Sequence, residues 1–169
     1  MPGESKMTQL IALDVGEARI GVAISDASGF LASPYTTLHI TRDEAQTWKA
    51  IQRLVDETGA EGLVIGLPIS LDGEIHSQGK RVQAFAERLK EHITIPLTFW
   101  DERLSTVEAE RLLAEREQEQ GKRYRVGGGR QRSQTKRRRR QQEIDALAAT
   151  VILQEYLDHQ ISKTRDNDV

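Results

Sequence analysis

The 169 residues include no cysteine, which excludes disulfides, thiolate metal sites and cysteine nucleophiles. A chain of this length suits one compact domain with its own core, and no apolar run approaches the roughly 18 residues of a membrane span. The net charge of -2 hides an asymmetry: between Gln120 and Gln142 stand ten of the 24 Lys and Arg residues and no Asp or Glu. An acidic body with so concentrated a basic segment suits a polyanionic partner.

In chain order, residues 1–8 are polar and read as a flexible N-terminus, without the apolar stretch of a signal peptide; a soluble, cytoplasmic protein is expected. Leu10 to Leu13 is a short apolar strand that ends in Asp14, and Gly16 turns the chain. Ile20, Val22 and Ile24 alternate as a second strand, in which Gly21 leaves room for a ligand or another backbone. Phe30 to Ile40 returns as a third strand, giving an antiparallel meander. Thr41-x-x-Glu44 predicts a capping box for a helix through Trp48, Ile51 and Val55 to Gly59. Gly62 to Gly66 is a strand buried on both sides, followed by a polar loop over 70–77 that contains His76.

A second helix is expected over Lys80 to His92, a strand over Ile95 to Trp100, and a capped helix through Val107, Leu112 and Leu113. From about 117 to 140 no apolar face can be drawn, and this stretch reads as a basic, flexible insertion. Apolar periodicity returns from Gln142 as a closing helix, and 161–169 reads as a flexible tail. The order of elements implies an α/β fold, a mixed β-sheet with helices on its faces, and a single domain over 9–160.

Four carboxylates fall where such a fold gathers chemistry. Asp14 ends the first strand, Asp101 and Glu102 end the last, and Asp145 opens a face continued by Ala148, Ala149 and Ile152 that should pack on the sheet. A carboxylate on that face must find a cation, a donor or a metal. If the strands of Asp14 and Asp101 are adjacent and parallel, the carboxylates meet at one rim. Oxygen-only ligation there suits Mg²⁺ or Mn²⁺ and, with two ions, phosphodiester hydrolysis. Each residue also has an ordinary structural explanation as a turn, cap or surface-pair residue. The basic run Lys136, Arg137, Arg138, Arg139 and Arg140 lies just ahead of Asp145, where it can hold phosphates without selecting a base.

The blocks Leu13-Asp-Val-Gly-x-x-Arg-Ile-Gly-Val-Ala-Ile-Ser-Asp26, Val64-Ile-Gly-Leu-Pro68, Asp101-Glu-Arg-Leu-Ser-Thr-Val-Glu-Ala109 and Ile144-Asp-Ala-Leu-Ala-Ala149 closely resemble the pre-16S rRNA nucleases of bacteria. These are also called Holliday junction resolvase-like proteins of the ribonuclease H-like superfamily. The resemblance covers about residues 10–158 and implies an RNase H-like fold, a cytoplasmic location and a divalent-metal-dependent nuclease that matures the 5′ end of 16S rRNA. It carries Asp14, Asp101, Glu102 and Asp145 over as the acidic site, with Asp14, Glu102 and Asp145 as ligands of Mg²⁺ or Mn²⁺. Glu102 is favoured over Asp101 by resemblance, while alternation from Phe99 supports either.

Arg19 and Arg103 join Lys136 to Arg140 as nucleic-acid contacts. Pre-16S rRNA, ribosomal particles and a monomer or weak homodimer are the expected partners and state. The stretch from Glu117 to Ser133 is longer than the family pattern. Holliday junction cleavage, and binding of structured RNA or branched DNA without cleavage, are the alternatives. The hairpin of Asp14 and Gly16 also looks like the phosphate loop of actin-like ATPases, which need two lobes where this chain supplies one.

Overall fold

The computed structural model describes residues 8–101 and 130–167, with side chains over 8–101 and 134–166. Its elements are β1 (Leu10–Val15), β2 (Arg19–Ser25), β3 (Ala32–His39), α1 (Glu44–Thr58), β4 (Gly62–Leu67), α2 (Ser77–Lys90), β5 (Leu97–Asp101) and α3 (Arg130–Asn167). The five strands form one sheet in the order β3-β2-β1-β4-β5. The β1-β2 and β2-β3 pairs are antiparallel, whereas β4 is parallel to both β1 and β5. This is the mixed, helix-flanked sheet expected from the sequence. The strands of Asp14 and Asp101 are not neighbours, however, because β4 lies between them.

Each face of the sheet has its own core. Ile11, Leu13 and Val15 of β1, with Leu63, Ile65 and Leu67 of β4, pack under Trp48, Ile51 and Leu54 of α1 and Val82, Phe85 and Leu89 of α2. Ala12, Ala23 and Val64, from the alternate positions, meet Ala149, Ile152, Leu153 and Leu157 of α3. Small residues on this second face let the long helix lie close to the strands. Every residue of β4 is buried, as a central strand covered on both sides requires.

Boundaries shift where local chemistry competes with pattern. Asp43, not Thr41, caps α1: its carboxylate accepts from the Ala45 amide, while the Thr41 hydroxyl donates to the Asp43 carbonyl. Gly59 closes the helix in the left-handed conformation, with φ 67°. Helix α2 begins at Ser77, three residues before the expected Lys80.

The largest correction concerns the C-terminal third. The stretch expected to remain irregular up to residue 140 is helical from Arg130, and the expected tail is helical through Asn167. Gln, Lys and Arg are good helix formers that need no apolar stripe when they project into solvent. Residues 134–140 are all exposed, and burial starts only where Ala146 reaches the sheet. Asp145 therefore lies in the middle of a long helix and not in its first turns. The helix proposed through Val107, Leu112 and Leu113, and the segment 117–129, lie outside the described residues. Among the described residues, no helix is long and apolar enough to cross a membrane.

Candidate nuclease site

Two glycines bring the acidic residues together. Gly16 closes the β1-β2 turn by donating its amide to the Arg19 carbonyl at 2.8 Å, and a Cβ there would crowd that oxygen. Gly21 pairs across the hairpin with Asp14. A Cβ on Gly21 would overlap the backbone carbonyl of Asp145, so α3 rests on bare strand backbone at this point. The backbone that the sequence left room for at Gly21 is that of the long helix. Asp14 alternates with Ala12 and so shares the α3 face of the sheet, at the carboxyl end of β1.

Asp145 lies close enough for its charge to act on Asp14. Burial, and after it the negative charge of Asp145, raises the Asp14 carboxyl from its ordinary value of 3.8 to about 6. Among the described residues, no hydrogen bond to the Asp14 carboxylate is seen. Asp145 is compensated instead. Arg19 Nε donates to its Oδ2 at 2.7 Å, and Gln141 Nε2 donates to Oδ1 at 3.3 Å, one helical turn earlier. Among the described residues, the pair thus holds one carboxylate with partners and one that lacks a cation. This half-buried, oxygen-only donor set fits a hard divalent ion such as Mg²⁺ or Mn²⁺.

The structure does not bring Asp101 to this pair. It stands opposite Leu67, which belongs to the core under α1 and α2, whereas its neighbour Trp100 packs on the α3 side. The pleat thus places Asp101 on the face away from Asp14. Glu102 and Arg103 lie outside the described residues. Arg19 is engaged with Asp145 rather than held open for phosphate, although its side chain remains 35% exposed. Lys136 to Arg140 form an exposed basic stretch, about one and a half to two and a half turns before Asp145 on α3.

A second acidic group was not anticipated as a unit. Asp72, Glu74 and His76, in the loop between β4 and α2, each place one ligand atom within 4.8 Å of the others and form a candidate metal-binding group. All three are exposed. Asp72 is held below its ordinary carboxylate value first by the Glu74 amide, and His76 Nε2 lies 3.2 Å from its Oδ2. The i, i+2, i+4 spacing of Asp, Glu and His in one loop is the signal that would have found it. The loop leaves the carboxyl end of β4, beside the end of β1 that carries Asp14. The hairpin turn is fastened from the same direction, since Arg81 of α2 meets Glu17 at 2.7 Å.

Comparison with known proteins connects this geometry to a family. Residues 8–127 match the family described as RuvX: Holliday junction resolvase. A protein of Caldanaerobacter subterraneus subsp. tengcongensis described as "Putative pre-16S rRNA nuclease" is 42% identical over 153 residues, covering 90% of this chain and 97% of the relative. One from Roseiflexus with the same description is 38% identical over 156 residues, covering 92% and 98%. Among solved structures, Thermus thermophilus RuvC in complex with a Holliday junction substrate superposes with a TM-score of 0.51 at 8% identity, over 90% of this chain and 96% of that one. That likeness speaks for the fold alone. Sequence kinship over nearly the whole chain, on a mixed sheet shared with RuvC, makes this protein a member of the RuvX-like pre-16S rRNA nuclease family, with an RNase H-like fold.

Proposed function

We propose that the chain is a divalent-metal-dependent endonuclease that hydrolyses phosphodiester bonds in the maturation of the 5′ end of pre-16S rRNA, in the cytoplasm. The observation that carries this reading is the meeting of Asp14 and Asp145 at one rim of the sheet, with the Asp14 carboxyl raised to about 6 and, among the described residues, without a cation partner. Kinship with the pre-16S rRNA nucleases supports the substrate. Asp14, Asp145 and Glu102 would hold Mg²⁺ or Mn²⁺. When bound, such an ion activates water and stabilises the leaving oxygen.

The remaining roles follow from residues of the chain. Gly21 lets α3 approach until Asp145 faces Asp14, and Arg19 fixes the Asp145 carboxylate by its short, charge-assisted bond. Lys136 to Arg140, with Arg103, draw the polynucleotide toward the acids through its phosphates. Asp101 is left out of the ligand set, because it occupies the other face of its strand.

The test is cleavage of a precursor 16S 5′-end RNA by wild type, Asp14→Asn and Asp145→Asn, with and without Mg²⁺ or Mn²⁺. Metal-dependent cleavage by wild type and none by either folded variant is the expected result. Full activity in either variant refutes the shared site. RNA binding by wild type without cleavage under any divalent metal would favour a binding module instead, a reading supported by the present engagement of both Asp145 oxygens.

A further inference from the structure

The edge strand β3 departs from regular pairing at one residue. Thr36 pairs with Val22 and Pro34 pairs with Ala23, so Tyr35 is the extra residue of a β-bulge. Bulges bend a strand, re-aim one side chain and concentrate beside active sites. Tyr35 is 44% exposed, although an aromatic ring on a sheet edge gains by burial.

Two grooves meet at Gln142, and the second of them reaches Tyr35. One is lined by Arg19, His39, Arg137, Arg138, Gln141 and Gln142. The other runs along β3 and α3 and includes Tyr35, Thr37, Arg139 and Gln142. Gln142 belongs to both, and it is held in place: its carbonyl accepts from the Thr37 hydroxyl at 2.9 Å, and its side chain meets His39 Nε2 at 3.2 Å. The strip therefore begins at Arg19, which touches Asp145, passes three arginines and a histidine, and ends at an exposed ring.

We propose that this strip binds single-stranded polynucleotide, with Arg137, Arg138 and His39 on consecutive phosphates and Tyr35 stacking on an unpaired base. Phosphate contacts alone would accept duplex and single strand alike. The ring distinguishes them, because a base offers its flat face to an aromatic side chain only when it is unstacked from its duplex. The inference rests on the nuclease reading for where the strand leads. It does not rest on that reading for whether the strand binds, and the test is arranged accordingly.

Fluorescence anisotropy in EDTA should compare a labelled 12-nucleotide single-stranded RNA with the same sequence as a duplex, for wild type, Tyr35→Ala, Tyr35→Phe and His39→Ala. Wild type is expected to prefer the single strand. Tyr35→Ala should weaken that binding about tenfold, within the range for loss of one stacked base, and change duplex binding less than twofold. Tyr35→Phe should restore it, since the ring and not the hydroxyl is used. His39→Ala should weaken both RNAs similarly. The proposal is overturned if Tyr35→Ala, melting like wild type, binds single strand within twofold of wild type, or if it loses single strand and duplex equally. Metal-dependent cleavage that survives in such a variant would leave the nuclease reading standing alone. The Tyr35 effect on binding without any cleavage would leave the strip standing alone.

Discussion

Replacing Asp14 by Asn should make the protein more stable and inactive at once. The native carboxyl titrates at about 6 against an ordinary 3.8, a difference of roughly 2 units or about 3 kcal/mol. Because Asp14 is only half-buried, solvent screening makes this an upper figure. The sign follows from proton counting. Below about pH 4 the carboxyl is protonated in both states and costs nothing. Between about 4 and 6 the unfolded chain ionises first, the native state binds more protons, and stability falls as pH rises. Above about 6 the full penalty is present.

Asn has no charge to bury, so Asp14→Asn should exceed wild type by up to about 3 kcal/mol at pH 7.5 in EDTA. At about 2–4 °C per kcal/mol for a chain of this size, the melting midpoint should rise by several degrees. At pH 4 the two proteins should converge. Adding Mg²⁺ should stabilise wild type by mass action and leave the variant unmoved. Urea and thermal denaturation at both pH values would measure all of this. A variant equal to or weaker than wild type at pH 7.5 would refute the argument that burial of an uncompensated charge shapes this site.

Gly21→Ala should cost about 1–3 kcal/mol, the usual range for overpacking, and abolish cleavage, because the new methyl displaces α3 and Asp145 with it; urea denaturation and near-ultraviolet dichroism would check it. Asp72→Asn combined with His76→Ala should leave Mg²⁺-dependent cleavage within about threefold of wild type, if the ion works at Asp14 and Asp145 and not in the exposed loop group. Loss of cleavage there would move the metal to the loop. Replacing Arg137 to Arg140 with Gln should weaken RNA binding across sequences and lower the slope of log affinity against log salt by up to about 3, at roughly 0.7 per lost single-strand phosphate contact. An unchanged slope would remove these arginines from the interface.

Much of this arrangement was readable from local signals. Asp14 followed by Gly16 and Gly21 marked both the turn and the close approach, and the apolar face after Asp145 marked the contact with the sheet. Other parts lacked a local signal. The phase of a strand's pleat is set by what covers each face, so Phe99-Trp100-Asp101 did not reveal which acid would turn toward Asp14. The partnership of Arg19 with Asp145 spans 126 positions and depends on how the helix docks. Residues 134–140 form helix without an apolar stripe because their side chains are exposed, and periodicity registers only surfaces that are buried. The bulge at Tyr35 arises from mismatched pairing of two strands, which neither strand records alone.

The seating of the long helix on Gly21 also bears on when activity becomes available. The strands β1 to β5 precede this helix along the chain, and chains emerge from the ribosome N-terminal end first. Asp14 can be in place on a formed hairpin while Asp145 is still unmade. Until the last helix has been released and laid against the strands, the acidic centre is missing one of its members. A growing chain of this protein would thus pass most of its synthesis with the proposed metal site unassembled, close to the ribosomal RNA of the particle producing it.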